Sequence, residues 1–170
     1  MKKVAIVGCA DSWSLAPFDD LSVEIWTFNQ LMFERVPRFD RYFDVHIPYK
    51  NYFKNFEKYE QFLKSNQDKV YIMDAEPELP EANIFEWRKL LEKFSRQYFT
   101  SSMAWLIAAA IYEEYDEISL FGIDLLLKRE YEEQKPCIEY WLGIAEGKGI
   151  KVNIQESSNL LRPALLYGVD

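Results

Sequence analysis

The stretch that most constrains this chain is its opening, where Lys2-Lys3 runs into Val4-Ala5-Ile6-Val7 and stops at Gly8. Charge, then a short apolar run rich in β-branched residues, then glycine, describes a strand buried on both faces. Such strands belong to parallel sheets covered by helices on either side. The small polar loop that follows, Cys9-Ala10-Asp11-Ser12, opens at the carboxyl edge of the sheet, where doubly wound folds bind ligands.

The rest of the chain alternates in the same way. Strands are predicted over 3–7, 23–28, 41–45, 70–73, 117–121 and 150–154, with helical spacing over 51–65, 102–115 and 137–148 between them. The second of these helices is apolar nearly all round, from Met103 to Ile111, and should be buried. Residues 73–83 are acidic and carry proline, which reads as a surface excursion, and residues 84–100 show no clear period. The expectation is an α/β, Rossmann-like doubly wound fold. It has a mainly parallel sheet of about five to six strands, with helices on both faces and right-handed crossovers. A length of 170 residues fits a single domain over 1–170.

A net charge of −8 repels a phosphate backbone, so general nucleic-acid binding is not expected. Cys9 and Cys137 are too few for a disulfide framework and read as reduced thiols. The start of the chain lacks the apolar core of a signal peptide, and the longest apolar run is too short to span a bilayer. The expectation is a cytoplasmic protein without a membrane partner. The aromatic content, 5 Trp, 11 Tyr and 12 Phe, points to a dense core or to stacking surfaces for planar ligands. Part of it is expected between subunits of a homodimer or higher homo-oligomer, around Glu139-Tyr140-Trp141 and Trp87.

The candidate site residues cluster after strands or before helices. Gly8 permits a tight turn, and the amides of Cys9, Ala10, Asp11 and Ser12 can face an anion; a plain strand-to-helix turn is the alternative. Asn29, at the end of the second strand, suits recognition of a base or ribose by paired donor and acceptor groups, or else caps a helix. Ser101 and Ser102 lead the buried helix, as an N-cap, an anion site or both. Gly122 allows close backbone approach, and Asp124 can hold a ribose hydroxyl, a metal or a polar group, or cap the next turn. Tyr131, amid charges, is a candidate stacking lid or part of a solvated loop. His46 reads as structural. With one histidine and two distant cysteines, no zinc site, Walker loop or nucleophile elbow is present, and neither metal nor cofactor is expected.

Taken in order, the Gly8 loop, Phe28-Asn29-Gln30, Thr100-Ser101-Ser102, Ile118 to Asp124, and Ile150-Lys151-Val152 with Ser158-Asn159-Leu160-Leu161 resemble the nucleotide-binding domain of bacterial, Campylobacter-type sialyltransferases. Glu130-Tyr131, Gln134-Lys135-Pro136, Glu139-Tyr140-Trp141 and Leu166-Tyr167-Gly168 resemble small phage-encoded Rossmann-like proteins of unassigned function. The sialyltransferase resemblance implies a cytidine-monophosphate sugar donor, with nucleotide contacts from the Gly8 loop, Asn29, Ser101 or Ser102, and Tyr131. Those enzymes use a histidine after the lid as general base, and here no histidine follows His46.

Three functions follow as expectations. The first is a phage-type protein that binds a nucleotide-derived small molecule without turnover. It would sequester a host immune signal such as a cyclic ADP-ribose derivative or a cyclic dinucleotide, with no catalytic residue. The second is a glycosyltransferase-like or nucleotide-hydrolysing enzyme using Asp124, Asp11 or His46 as base. The third is a protein interaction module.

Overall fold

Residues 1–28, 30–46, 56–125, 130–163 and 165–169 are described by a computed structural model, the side chains of Phe56, Glu130 and Tyr131 excepted. The strands are β1 (Lys3–Val7), β2 (Val23–Phe28), β3 (Arg41–Asp44), β4 (Val70–Ile72), β5 (Asn83–Ile84), β6 (Glu117–Phe121) and β7 (Lys151–Ile154). The helices are α1 (Phe56–Ser65), α2 (Trp87–Lys93), α3 (Ser102–Tyr112) and α4 (Lys135–Gly147). The strands form one 7-stranded sheet of order β5-β4-β3-β2-β1-β6-β7. Every pairing in it is parallel, with Lys3 beside Val23 of β2 on one flank and Glu117 of β6 on the other.

The fold is the Rossmann-like α/β fold expected from the alternation, with one more strand. β5 is a two-residue edge strand in the stretch that showed no period, and α2 follows directly. Two residues cannot display an alternation, which is why the strand left no mark in the sequence.

Side chains alternate across the sheet as the pleat requires. Val4, Ile6, Trp26, Phe43, Ile118 and Leu120 pack in one cluster with α2, α3 and α4. Ala5, Val7 and Ile25 belong to a second cluster, closed by Met32 and by the 3-10 turn over Asp11–Leu15. On the same face, α1 covers Tyr42, Val70 and Ile72 through Tyr59 and Leu63. Helices therefore lie on both faces. Toward β7 that second face turns polar: Asn153 donates to Glu117 Oε1 at 2.8 Å and to Ser119 Oγ at 3.0 Å. Glu117 and Ser119 alternate with Ile118 and Leu120, so β6 is apolar only toward α3 and α4.

α3 is buried from Met103 to Ile111 apart from a half-buried Trp105, as its all-round apolarity requires. Burial of Leu106 or Ile107 contributes about 1.5–3 kcal/mol each. The helix ends at Tyr112, three residues short of the predicted end, and Glu114 turns the backbone left-handed at φ 59°. Trp26, Trp141, Tyr42, Tyr59, Tyr115 and Phe43 are fully buried, so much of the aromatic content fills the core. Trp141, a candidate subunit contact from sequence, stacks inside on Phe99 with ring centroids 4.8 Å apart. Trp87 is tied down by its indole N–H, which donates to the Met73 carbonyl at 2.9 Å. Cys9 is exposed and Cys137 is buried, and the two do not form a disulfide. Among the described residues no helix is long and apolar enough to cross a membrane.

Candidate functional site

From β1 the chain builds outward through β2, β3, β4 and β5, then returns through α2 and α3 to β6 on the other side of β1. The loops after β1 and β6 thus leave the sheet in opposite directions. Such a reversal opens a crevice at the carboxyl ends of the two strands, the usual ligand position in doubly wound sheets.

Two glycines make the floor of that crevice. The Gly8 amide donates to the Phe121 carbonyl at 2.8 Å, and the Ala10 amide donates to the Gly122 carbonyl at 3.0 Å. A Cβ on Gly8 would lie 2.5 Å from the Gly122 oxygen, and one on Gly122 would lie 2.2 Å from the Gly8 oxygen. Gly122 also has φ +66°, in the left-handed region. Both loops therefore need glycine for close backbone approach, and Gly122 for its conformation as well.

Above the floor lies a cavity of about 590 Å³. It is lined by Gly8, Cys9, Ala10, Ser101, Ser102, Gly122 and Asp124 from the sequence-selected set. Asp11 and Ser12 do not line it. Asp11 is exposed in the 3-10 turn. Ser12 is buried and works beneath the floor: its hydroxyl donates to Asp124 Oδ1 at 2.9 Å and accepts from the Gly122 amide at 2.8 Å. A hydroxyl facing inward cannot also face a ligand, so the loop contributes its first residues and not its last. Asn29 lies outside the described residues, as does the side chain of Tyr131, whose backbone belongs to a π-helical turn over Glu130–Gln134 that runs into α4.

Asp124 is 5 % exposed, and its Oδ1 also accepts from Ser157 at 3.1 Å. Its carbonyl accepts from the Asn159 amide at 3.3 Å, and Ser158 Oγ donates to the Ile123 carbonyl at 2.6 Å. The Ser157-Ser158-Asn159 segment thus clamps the loop after β6. Ser101 is the N-cap of α3 and accepts from the Ala104 amide at 3.4 Å. The first amides of a helix have no intrahelical acceptor, and the helix dipole favours negative charge beside them. Phe28, Phe99 and Trp105 add an aromatic wall. Phe99 lies flat on Trp105, centroids 3.7 Å apart and rings within 4° of parallel.

His46 also lines the cavity. Its Nδ1 is 2.8 Å from Oδ1 of Asp44, a carboxylate that is 2 % exposed. Tyr59 of α1 donates to Asp44 Oδ2 at 3.0 Å. Burial holds the Tyr59 phenol well above its ordinary value, so it stays a donor. A signal for this pair was present in the sequence. Asp44 and His46 are two apart at the end of a strand, the spacing that places side chains on one side.

No family model matches the chain, and no curated protein matches it. Solved structures do. The sialyltransferase CstII from Campylobacter jejuni in complex with the substrate analogue CMP-3FNeuAc is 22 % identical, with TM-score 0.59 over 91 % of this chain and 80 % of that one. The chain shares the CstII fold. CstII in complex with cytidine-5'-monophosphate superposes with TM-score 0.60 at 21 % identity, covering 95 % of this chain and 82 % of CstII. A point mutant of the α-2,3/8-sialyltransferase CstII gives TM-score 0.60 at 21 % identity, covering 90 % of this chain and 81 % of that one.

Proposed function

We propose that the chain binds a nucleotide-derived ligand of the nucleotide-sugar class in the cavity between β1 and β6. The observation that carries this reading is the joining of three features in one crevice. The glycine floor admits a ligand to the backbone, the N-terminus of α3 offers amides to a phosphate, and the aromatic wall of Phe28, Phe99 and Trp105 offers apolar surface to a planar base. The CstII structures of the same fold contain CMP or its sugar analogue, which supports the ligand class. Phosphate recognition would rest on Gly8–Ala10 backbone and on Ser101 and Ser102, with Asn29 and Tyr131 as further contacts and Asp124 holding a ribose hydroxyl. Sequestration of an immune signal has no feature of its own in the cavity, whereas the imidazole of His46 lines it.

Calorimetric titration with CMP, UMP, AMP and GMP tests the reading. Binding of at least one of them in the micromolar range is expected. Cys9→Trp, which places an indole at the exposed mouth of the cavity, should weaken that binding at least tenfold without lowering the melting temperature. Full affinity in Cys9→Trp, or no binding of any of the four, would sink the assignment.

A further inference from the structure

β3 ends on Asp44 and His46 follows two residues later. The Asp44 carboxylate accepts from the His46 amide at 3.2 Å and from the Tyr59 hydroxyl at 3.0 Å, and His46 Nδ1 lies 2.8 Å away. A carboxylate in that position fixes the tautomer: the proton sits on Nδ1, and Nε2 carries the lone pair. We propose that His46, oriented by Asp44 and Tyr59, is the proton-transfer residue of this cavity, and that a nucleotide-sugar bound there is turned over rather than held. The proposal rests on the nucleotide-sugar reading of the same site.

The cost of the arrangement argues for use. Burying a carboxylate is expensive, and apolar residues of similar volume would hold α1 on β3 at least as well. The buried charge stands at the wall of the cavity, behind a ring that reaches it. Positioned histidine bases that contribute to catalysis are oriented in just this way by a third group on the far nitrogen.

The step balances with water as co-reactant. Nε2 of His46 takes a proton from a water molecule as its oxygen bonds to the anomeric carbon. The bond from that carbon to the phosphate oxygen breaks, and its electron pair leaves on the phosphate. The products are the free sugar and the nucleoside monophosphate, and His46 then gives its proton to solvent. An acceptor hydroxyl in place of water turns the same step into transfer. Ionisable groups near His46 include Asp44 on β3, Tyr59 on α1 with Tyr42 of β3 beside it, and, lining the same cavity, Asp124 after β6 and Cys9 after β1.

The test uses the full chain with CMP-sialic acid as probe, CMP release followed by chromatography, and CMP affinity measured by calorimetry on the same samples. Wild type should release CMP over many turnovers. His46→Gln should keep CMP affinity within about threefold and lose turnover by about 100-fold or more. Asp44→Asn should lower turnover at least tenfold with CMP affinity kept within about threefold, because the ring loses the acceptor that orients it. Tyr59→Phe, the milder change, should lower turnover with CMP affinity kept, and it serves if Asp44→Asn fails to fold. Intact CMP-sialic acid recovered from a wild type that binds CMP would overturn the acid–base role and leave the nucleotide site standing. Turnover by His46→Gln at the wild-type rate would do the same. A wild type that does not bind CMP would overturn this proposal, and the nucleotide site falls with it only if UMP, AMP and GMP are not bound either.

Discussion

Gly122 shows how much one residue decides. It meets Gly8 backbone to backbone and adopts a left-handed conformation, and its amide is held by Ser12. Alanine there meets the Gly8 oxygen and carries the penalty of a side chain at φ +66°. Conformational cost of about 1–2 kcal/mol and overpacking of about 1–3 kcal/mol add to a loss that urea unfolding should read as a large drop in midpoint. Gly8→Ala should be destabilising through the contact alone. Ser12→Ala removes the donor to Asp124 and the acceptor for Gly122 together, with an expected loss of about 1–3 kcal/mol. A Ser12→Ala midpoint equal to wild type would mean that the loop after β6 is held by the Ser157-Ser158-Asn159 clamp and not from below.

At the scale of elements, α3 links the core to the site. Its apolar body packs under the sheet, and its capped end lines the cavity. Ser101→Ala should cost about 1 kcal/mol of stability by freeing the Ala104 amide. It should also weaken nucleotide binding modestly, because the first turn frays where the phosphate is expected. Ser101→Asp restores a cap but sets a negative charge beside that position, so it should recover stability and lose affinity. Thermal unfolding and calorimetry on the two variants separate these effects. Equal affinities in both would place the phosphate away from α3. The element was legible because Met103 to Ile111 leaves no polar face to expose. α2 was not, because seven residues after a two-residue strand contain too few turns to show a period.

At the scale of the whole molecule, the buried tyrosines set an alkaline limit. Burial holds the phenols of Tyr42, Tyr59 and Tyr115 above their ordinary value of 10.0. Tyr115 is further held neutral by its hydrogen bond to Glu24, which its ionised form would repel. The folded state then binds more protons than the unfolded state once the pH exceeds that value, so unfolding free energy falls as pH rises. Their contribution is complete below pH 10.0 and is lost above it, as pH climbs toward the raised folded-state values. Urea midpoints should be level from about pH 8 to 9.5 and fall steeply by about pH 11.5, with phenolate absorbance rising together with unfolding. A flat midpoint across that range would show that these hydroxyls ionise in the folded protein.

The opening run Val4 to Val7 with its glycine, the spacing of strands and helices, and the apolar body of α3 determined the fold class by themselves. Each is a local statement: a strand must bury both faces, or a helix has no side to give to water. Ser101, Ser102, Gly8, Gly122 and Asp124 were legible as candidates for the same reason, since each sits where a strand ends or a helix begins. What only the tertiary structure decided is which of these positions meet, because strand order is not written in any segment. The reversal at β1 brings Gly8 against Gly122, turns Ser12 inward to serve Asp124, and leaves Asp11 in solvent. His46 belongs to the same lesson. Its neighbour Asp44 is two residues away in the chain, but the cavity that makes the pair matter is assembled from β1, β2, β3, α3, β6 and α4. Close packing between elements distant in sequence built that cavity, and no period within one element could announce it.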